Sequence, residues 1–272
     1  MPAASTITAV LRRHELLDPA VSAQHRPFQR FERSTPNELL QMDFKGHVAI
    51  ATGLRCHPLT ILDDHSRFLV GLYACPDETH ATVQACLVAT FRTYGLPEAM
   101  LMDNGTPWGD DRYTRLTVWL MRLGIRVLHG RPHHPQTQGK DERLHRTLSE
   151  ELLSRQNFPD LAAYQTAFDH WRFLYNTQRP HEALDLQPPA SRYQPSPRPF
   201  PEVLPPLVYP ADAVLRKVDA AGKISFRNQP FRIGRAFAGE QVALAPDPQV
   251  DGLMSVFLGQ FPIGSLNLKG SS

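Results

Sequence analysis

Residues 39–44 read LLQMDF, residues 56–64 CHPLTILDD and residues 67–75 RFLVGLYAC. Each is a short apolar run of residues that suit a pleated surface, and DDHSR at 63–67 is the turn between the second and third. Three consecutive strands follow. Beyond them, Val83, Leu87, Phe91 and Tyr94 recur at helical spacing across 79–94, with Gly95 placed to end the helix and Pro97 beyond it. AMLMD at 99–103 reads as a fourth strand. Leu116, Trp119, Leu120 and Leu123 form one face of a second helix, Gly124 stops it, and IRVLH at 125–129 is a further strand. The order βββαβαβ predicts an α/β chain with one sheet flanked by helices.

Downstream, the polar loop GRPHHPQTQGK leads into a helix from about Gly139 to Arg155, in which Leu144, Leu148 and Leu152 lie four apart. Another helix, Leu161 to Tyr175, buries Leu161, Tyr164, Phe168 and Trp171. Proline then dominates, from Pro188 to Pro210, and residues 187–210 read as an extended, semi-rigid linker. Residues 211–272 alternate in short runs broken by Gly, Asn and Pro, the pattern of a small all-β barrel. At the front, residues 1–35 hold one short helical pattern, Thr6 to Leu17, and the basic stretch HRPFQRFERS, too little to fold alone. The expected division is therefore 1–35, a core over 36–186, the linker, and 211–272.

With 42% hydrophobic and 21% charged residues among 272, the composition is that of a soluble globular protein. No apolar run suits a membrane span or a secretory signal in the first twenty residues, so a cytoplasmic place and no membrane partner are expected. Cys56, Cys75 and Cys86 are too few and too scattered for a disulfide framework or a zinc site of paired cysteines. Net charge is only +2, so any role with nucleic acid must come from local patches.

Three acids stand out by position. Asp43 lies inside an apolar strand, where an unpaired charge is costly, although a strand-edge cap into Lys45-Gly46 would also explain it. Asp103 closes another apolar strand and is followed by Asn104-Gly105, which alone reads as a turn. Glu142 opens a helix after a polar loop and alone reads as a solvated residue pairing with Arg146. Strand ends and a helix entering from the sheet edge can nevertheless bring three carboxylates to one point. Oxygen donors alone suit a hard cation, Mg²⁺ or Mn²⁺, and two such ions about 3.5–4 Å apart clamp an in-line phosphoryl displacement. Arg131, Lys140, Arg143 and Arg146 surround these acids as candidate phosphate contacts, and Arg216, Lys217, Lys223, Arg227, Arg232 and Arg235 cluster in the C-terminal region as candidate DNA contacts. His133 and His134 could shape the loop or touch phosphate; in the turn, Asp64 reads as an acceptor and Asp63 as support for the site.

The segments QMDFKGH, TILDDHSRF, RTYGLPEAMLMDNGTPW, LTVWLMRLGIRV, RPHHPQTQGKDERLHRTL and YNTQRPHEAL together resemble the integrase-type catalytic core of bacterial insertion-sequence transposases over roughly 36–195, and the run RKVDAAGKISFRNQPFRIGRAFAGEQVAL resembles their small DNA-binding domain. The resemblance implies a ribonuclease-H-like fold, with Asp43, Asp103 and Glu142 as first, second and third catalytic and metal-holding acids. It implies nicking and strand transfer on element ends and target DNA, a homo-oligomer, and a place beside the bacterial nucleoid. The gap from Asp103 to Glu142, 142 − 103 = 39, is a few residues longer than usual, an excess that the 109–112 stretch absorbs. Such transposases carry helix-turn-helix domains ahead of the core, and Ser5 to Leu17 resembles only the last helix of one, so a truncated or mis-started chain is expected. A DNA-binding product without transposition and a plain metal-dependent nuclease are the other readings of the same residues.

Overall fold

A computed structural model describes residues 13–14, 32–51, 53–102, 113–129 and 139–269. Apart from Arg13 and His14, the helix expected at Thr6–Leu17 lies outside them, as do Asp103, Arg131, His133 and His134.

The first described sheet is built from β1 (Leu40–Phe44), the two-residue β2 (Val48–Ala49), β3 (Arg55–Asp63), β4 (Leu69–Cys75), β5 (Ala99–Met102) and β6 (Arg126–His129). β3 pairs antiparallel with β1 and β4, and since Leu59–Leu62 face partners on both, the two lie along opposite edges. β5 then pairs parallel with β1, and β6 parallel with β5. Three antiparallel strands followed by two parallel ones, with helices between, is the ribonuclease-H-like mixed sheet. The short β2, which no apolar run announces, extends the β1 edge against Arg55 and Cys56.

Helices cover both faces, and strand alternation decides which residues meet which. Leu40 and Met42 of β1, with Leu59 and Ile61 of β3, enter one core with α1 (His80–Tyr94) and α2 (Arg115–Arg122). On the opposite face, Leu62, Leu69 and Leu72 pack against α3 (Gly139–Leu148) and α4 (Leu161–Thr177) through Leu144, Leu148, Tyr164, Phe168 and Trp171. Gln41 and Asp43 alternate with Leu40 and Met42, so they belong to the α3 side. The helix expected to run unbroken to Arg155 leaves α geometry after Leu148 for a π-helical turn, Ser149–Leu153, closed by Ser154 N donating to Ser149 O at 2.9 Å. That turn aims Glu151 at α4, where it accepts from Trp171 Nε1 at 2.9 Å and pairs with Arg179.

Apart from a 3-10 turn at Pro189–Ser191, residues 187–210 are extended, and they run as a strap along the core. Tyr193 stacks on Phe68 with centroids 4.2 Å apart and donates to Asn37 Oδ1 at 3.0 Å. Arg198 reaches the carbonyls of Pro97 at 2.8 Å, Leu123 at 3.0 Å and Gly124 at 3.3 Å, so it fastens the turns that end α1 and α2. Gly95 is required here: its φ is +78°, and an added Cβ would lie 2.6 Å from Ser196 O. Proline suits the strap because the locked backbone has little entropy to lose while its carbonyls stay available.

The C-terminal region is all β. β7 (Val214–Lys217), β10 (Gln241–Pro246), β11 (Leu253–Leu258) and β12 (Phe261–Asn267) form an antiparallel sheet in the order β12-β11-β10-β7. A separate hairpin, β8 (Lys223–Phe226) and β9 (Gln229–Arg232), turns at Arg227 and Asn228, both at positive φ (50° and 60°), as a two-residue hairpin of matching twist requires. Its Ile224 and Phe226 share a core with Val242, Leu244 and Val256. Val118 and Met121 of α2 are also in that core. Spacing in the sequence marks only the Leu116, Trp119, Leu120 and Leu123 face of α2. The helix is sandwiched, with Leu116 and Leu120 toward the first sheet and Val118 and Met121 toward the C-terminal one.

Candidate active site

Asp43 stands near the end of β1 with its side chain 37% exposed, opposite Thr60 of β3 in register. Thr60 ties the strand to α3. Its hydroxyl donates to Asp43 O at 3.0 Å and contacts His145 Nε2 at 2.9 Å. His145 Nδ1 in turn lies 3.9 Å from Asp43 Oδ2. Burial holds the imidazole neutral by pushing its pKa down to about 4, with Lys45 adding to the shift.

His145 belongs to a stripe of α3 formed by Asp141, Leu144, His145 and Leu148, all buried. The spacing i, i+3, i+4, i+7 is that of one helix face, so the two apolar members carry the two polar ones to the sheet. Asp141 is 5% exposed, and its Oδ1 is buried with no hydrogen-bond partner. Its carboxyl is held well above the usual range, first by desolvation and then by the negative charges of Asp43 and Asp64; Lys140 opposes this and Glu142 adds to it. Three neighbouring acids acting on one buried carboxyl mark a place where negative charge is in excess.

Asp64 is the anchor beneath. Fully buried, it pairs with Lys140, takes Gln41 Nε2 at 2.5 Å, and accepts from Arg33 N at 2.8 Å. Lys140 Nζ also donates to Asp64 O at 3.1 Å. The two acids of the turn therefore exchange the roles expected of them. Asp63 is the turn acceptor, taking Ser66 N at 2.8 Å, Ser66 Oγ at 2.6 Å and Asn37 N at 2.8 Å, while Asp64 fastens the start of α3 to β1. Burial raises the Asp63 pKa against those hydrogen bonds.

Of the acids singled out in the sequence, Asp43 lies beside the α3 cluster, Glu142 is exposed in the first turn of α3, and Asp103 is outside the described residues. Met102, the last residue of β5, is the register partner of Met42 on β1. Among the described residues, no group of three or more His, Cys, Asp or Glu has a metal-holding arrangement. The donors that are described still suit a hard divalent cation: a half-exposed carboxylate, an orphaned buried carboxyl oxygen and a crowd of like charges are what such an ion relieves. The candidate phosphate contacts divide. Lys140 is 13% exposed and bound to Asp64, Arg143 pairs with Glu182 at 3.2 Å on the surface, and Arg146 is exposed. Lys140, expected on phosphate, is thus a buried tie between α3 and the turn.

In the C-terminal sheet, Arg216 lies 5.4 Å over the Phe226 ring and donates to Ser225 O at 3.0 Å, and Arg227 stands 5.6 Å over the same ring. Lys217, Lys223, Arg232 and Arg235 are exposed, and Lys223 is directly opposite Arg232 across the hairpin. Like charges so placed destabilise a hairpin, and a polyanion would relieve them.

Sequence comparison supplies the family. Integrase core domain models match residues 33–135 and 123–189, and the IS481 family transposase C-terminal domain matches residues 213–272. These matches support an insertion-sequence transposase with an integrase-type core over residues 33–189. A 39.2 kDa protein of insertion element IS476 from Xanthomonas euvesicatoria is 30% identical over 159 residues, which are 58% of this chain and 44% of that protein. A 31.7 kDa protein of insertion element IS407 from Burkholderia multivorans is 27% identical over 155 residues, 57% of this chain and 54% of that one. The chain thus spans about half the length of these two curated relatives. Among solved structures, the simian T-cell lymphotropic virus intasome in complex with the PP2A regulatory subunit B56 gamma matches with TM-score 0.49 and 16% identity, covering 87% of this chain and 81% of that chain.

Residues missing from the sequence-based site are Asp141, His145, Thr60 and Gln41. The signal for the first two was present, since they share the helical face of Leu144 and Leu148. Thr60 and Gln41 are visible only through strand register.

Proposed function

We propose that this chain is a DNA transposase, a polynucleotidyl transferase that nicks an element end and joins the freed 3′-hydroxyl to a target phosphodiester. The observation that carries this reading is the β1–β5 register: Met42 pairs with Met102, and the residue that follows each in sequence is an acid, Asp43 and Asp103. Together with Glu142, which opens α3 beside Asp141, they are assigned as the residues that hold divalent metal, Mg²⁺ or Mn²⁺, at a two-ion centre. When bound, such ions activate the attacking oxygen and neutralise charge developing at phosphorus. The chain's own part is placement. Thr60 holds the Asp43 backbone, Lys140 and Asp64 set the start of α3, and Leu144 and Leu148 fix its rotation.

Partners are element ends and target DNA, engaged through Arg131, Arg143, Arg146 and the basic residues of the C-terminal hairpin, in a homo-oligomer that pairs two ends. No helix among the described residues is long and apolar enough to cross a membrane, and a place in the bacterial cytoplasm near the nucleoid fits a DNA substrate. The test is strand transfer with a duplex carrying the element's own ends, with Mg²⁺ or Mn²⁺. Joined products that vanish with Asp43→Asn support the reading. Hydrolysis without joining would make the chain a nuclease, and binding with neither reaction would make it a DNA-binding product.

A further inference from the structure

The contact between Thr60 and His145 fixes more than the position of α3. Thr60 has one hydroxyl hydrogen, and it is given to Asp43 O at 3.0 Å, an atom that can only accept. Toward His145, Thr60 Oγ1 must therefore be the acceptor, and His145 Nε2, at 2.9 Å, the donor. A neutral imidazole with its hydrogen on Nε2 carries a lone pair on Nδ1. The nitrogen that carries it lies 3.9 Å from a carboxylate oxygen, Asp43 Oδ2. Two electron-rich atoms at this distance are too far apart to share a hydrogen bond, and a cation placed between them would be attracted by both. Divalent ions bind nitrogen and oxygen donors at about 2.0–2.2 Å, so one ion can be reached from both atoms. The His145 side chain is 10% exposed, so it has little room to turn its Nδ1 elsewhere.

We propose that His145 Nδ1 is a ligand of the cation held by Asp43, making the centre a mixed nitrogen and oxygen site in place of a purely carboxylate one. The consequence is selectivity. Imidazole nitrogen adds more to the binding of transition ions than to that of Mg²⁺, so this centre favours Mn²⁺ over Mg²⁺ more strongly than carboxylates alone would. The inference rests on the reading of Asp43 as a metal ligand, and the experiment separates the two.

The measurement is pulsed electron paramagnetic resonance on the full chain loaded with Mn²⁺, with Mn²⁺ and Mg²⁺ affinities determined by titration. His145→Gln is the informative variant, because the glutamine amide can still donate to Thr60 while offering nothing in the place of Nδ1. The wild-type spectrum is expected to show the nitrogen coupling of a directly bound imidazole, and His145→Gln to lose it. The variant's Mn²⁺ affinity is expected to fall about tenfold or more, and its Mg²⁺ affinity to fall less. Mn²⁺ that is lost in Asp43→Asn but shows no nitrogen coupling in the wild type overturns the role of His145 and leaves the metal reading standing. Coupling that persists in His145→Gln assigns the nitrogen to another residue and also overturns the proposal. Mn²⁺ binding indifferent to Asp43→Asn contradicts both readings. Should His145→Gln fail to fold, His145→Asn takes its place in the same measurement, and a wild-type spectrum without nitrogen coupling overturns the proposal by itself.

Discussion

Charge is treated in opposite ways around α3 and in the C-terminal β8–β9 hairpin. Around α3, Asp63, Asp64, Asp141 and the Lys140 ammonium are buried or nearly so, set by a turn, an ion pair or the buried face of the helix. In the β8–β9 hairpin, Lys223, Arg227 and Arg232 are exposed on a two-stranded scaffold, and among the described residues no buried acid pairs with them. Buried charges are expensive and keep their geometry; exposed charges are cheap and supply a field. The first arrangement suits chemistry at a fixed point. The second suits attraction of a polyanion whose position is set by many weak contacts.

That contrast fails most visibly if the acids can be changed without consequence. Replacing Asp43, Asp103 or Glu142 singly by Ala should bring cleavage down to background while DNA binding, measured by fluorescence anisotropy, stays near wild type, because phosphate contacts come from Lys and Arg. Binding lost in step with activity in a folded variant would erase the distinction between the two regions. Next in size is Lys140→Met, which leaves the Asp64 carboxylate buried without its partner. Urea unfolding should show a loss of about 3–5 kcal/mol, partly restored by adding Asp64→Asn. A loss below about 1 kcal/mol, the range of a surface pair, would mean that the tie is not a buried one.

Arg198→Ala probes the strap between the regions. Deleting one guanidinium that reaches three carbonyls should lower stability by about 1.5–3 kcal/mol and increase proteolysis within 187–210. An unchanged midpoint would return this segment to the role of a spacer. The smallest effect belongs to the hairpin: Lys223→Gln and Arg232→Gln should each reduce the salt slope of DNA binding by about 0.9 without loss of stability, since they also relieve a like-charge pair. A slope left intact by both would remove the hairpin from the interface.

Much of this was legible in the chain itself. The strands at 40–44, 56–63 and 69–75 and the helices at 80–94 and 161–177 follow from apolar period and from Gly95 as a stop, because each segment's local preference agrees with its place in the fold. Other features depend on partners distant in sequence. The π-helical turn after Leu148 and the second buried face of α2 answer to α4 and to the C-terminal sheet, neither of which local periodicity can report. The same holds at the site. Asp43 was visible as an acid in an apolar run, whereas the exchange of roles between Asp63 and Asp64 is decided by which of two adjacent carboxylates the turn directs toward Ser66 and which toward Lys140. Spacing alone treats those neighbours alike.

The central claim is that the acids of β1, β5 and α3 meet at one metal centre, and anomalous scattering from a crystal of the chain soaked in Mn²⁺ tests it most directly. The expected result is a manganese peak within about 2.0–2.3 Å of carboxylate oxygens of Asp43, Asp103 and Glu142. A peak held by other residues, or any one of the three carboxylates turned to the opposite face of the sheet, would contradict it.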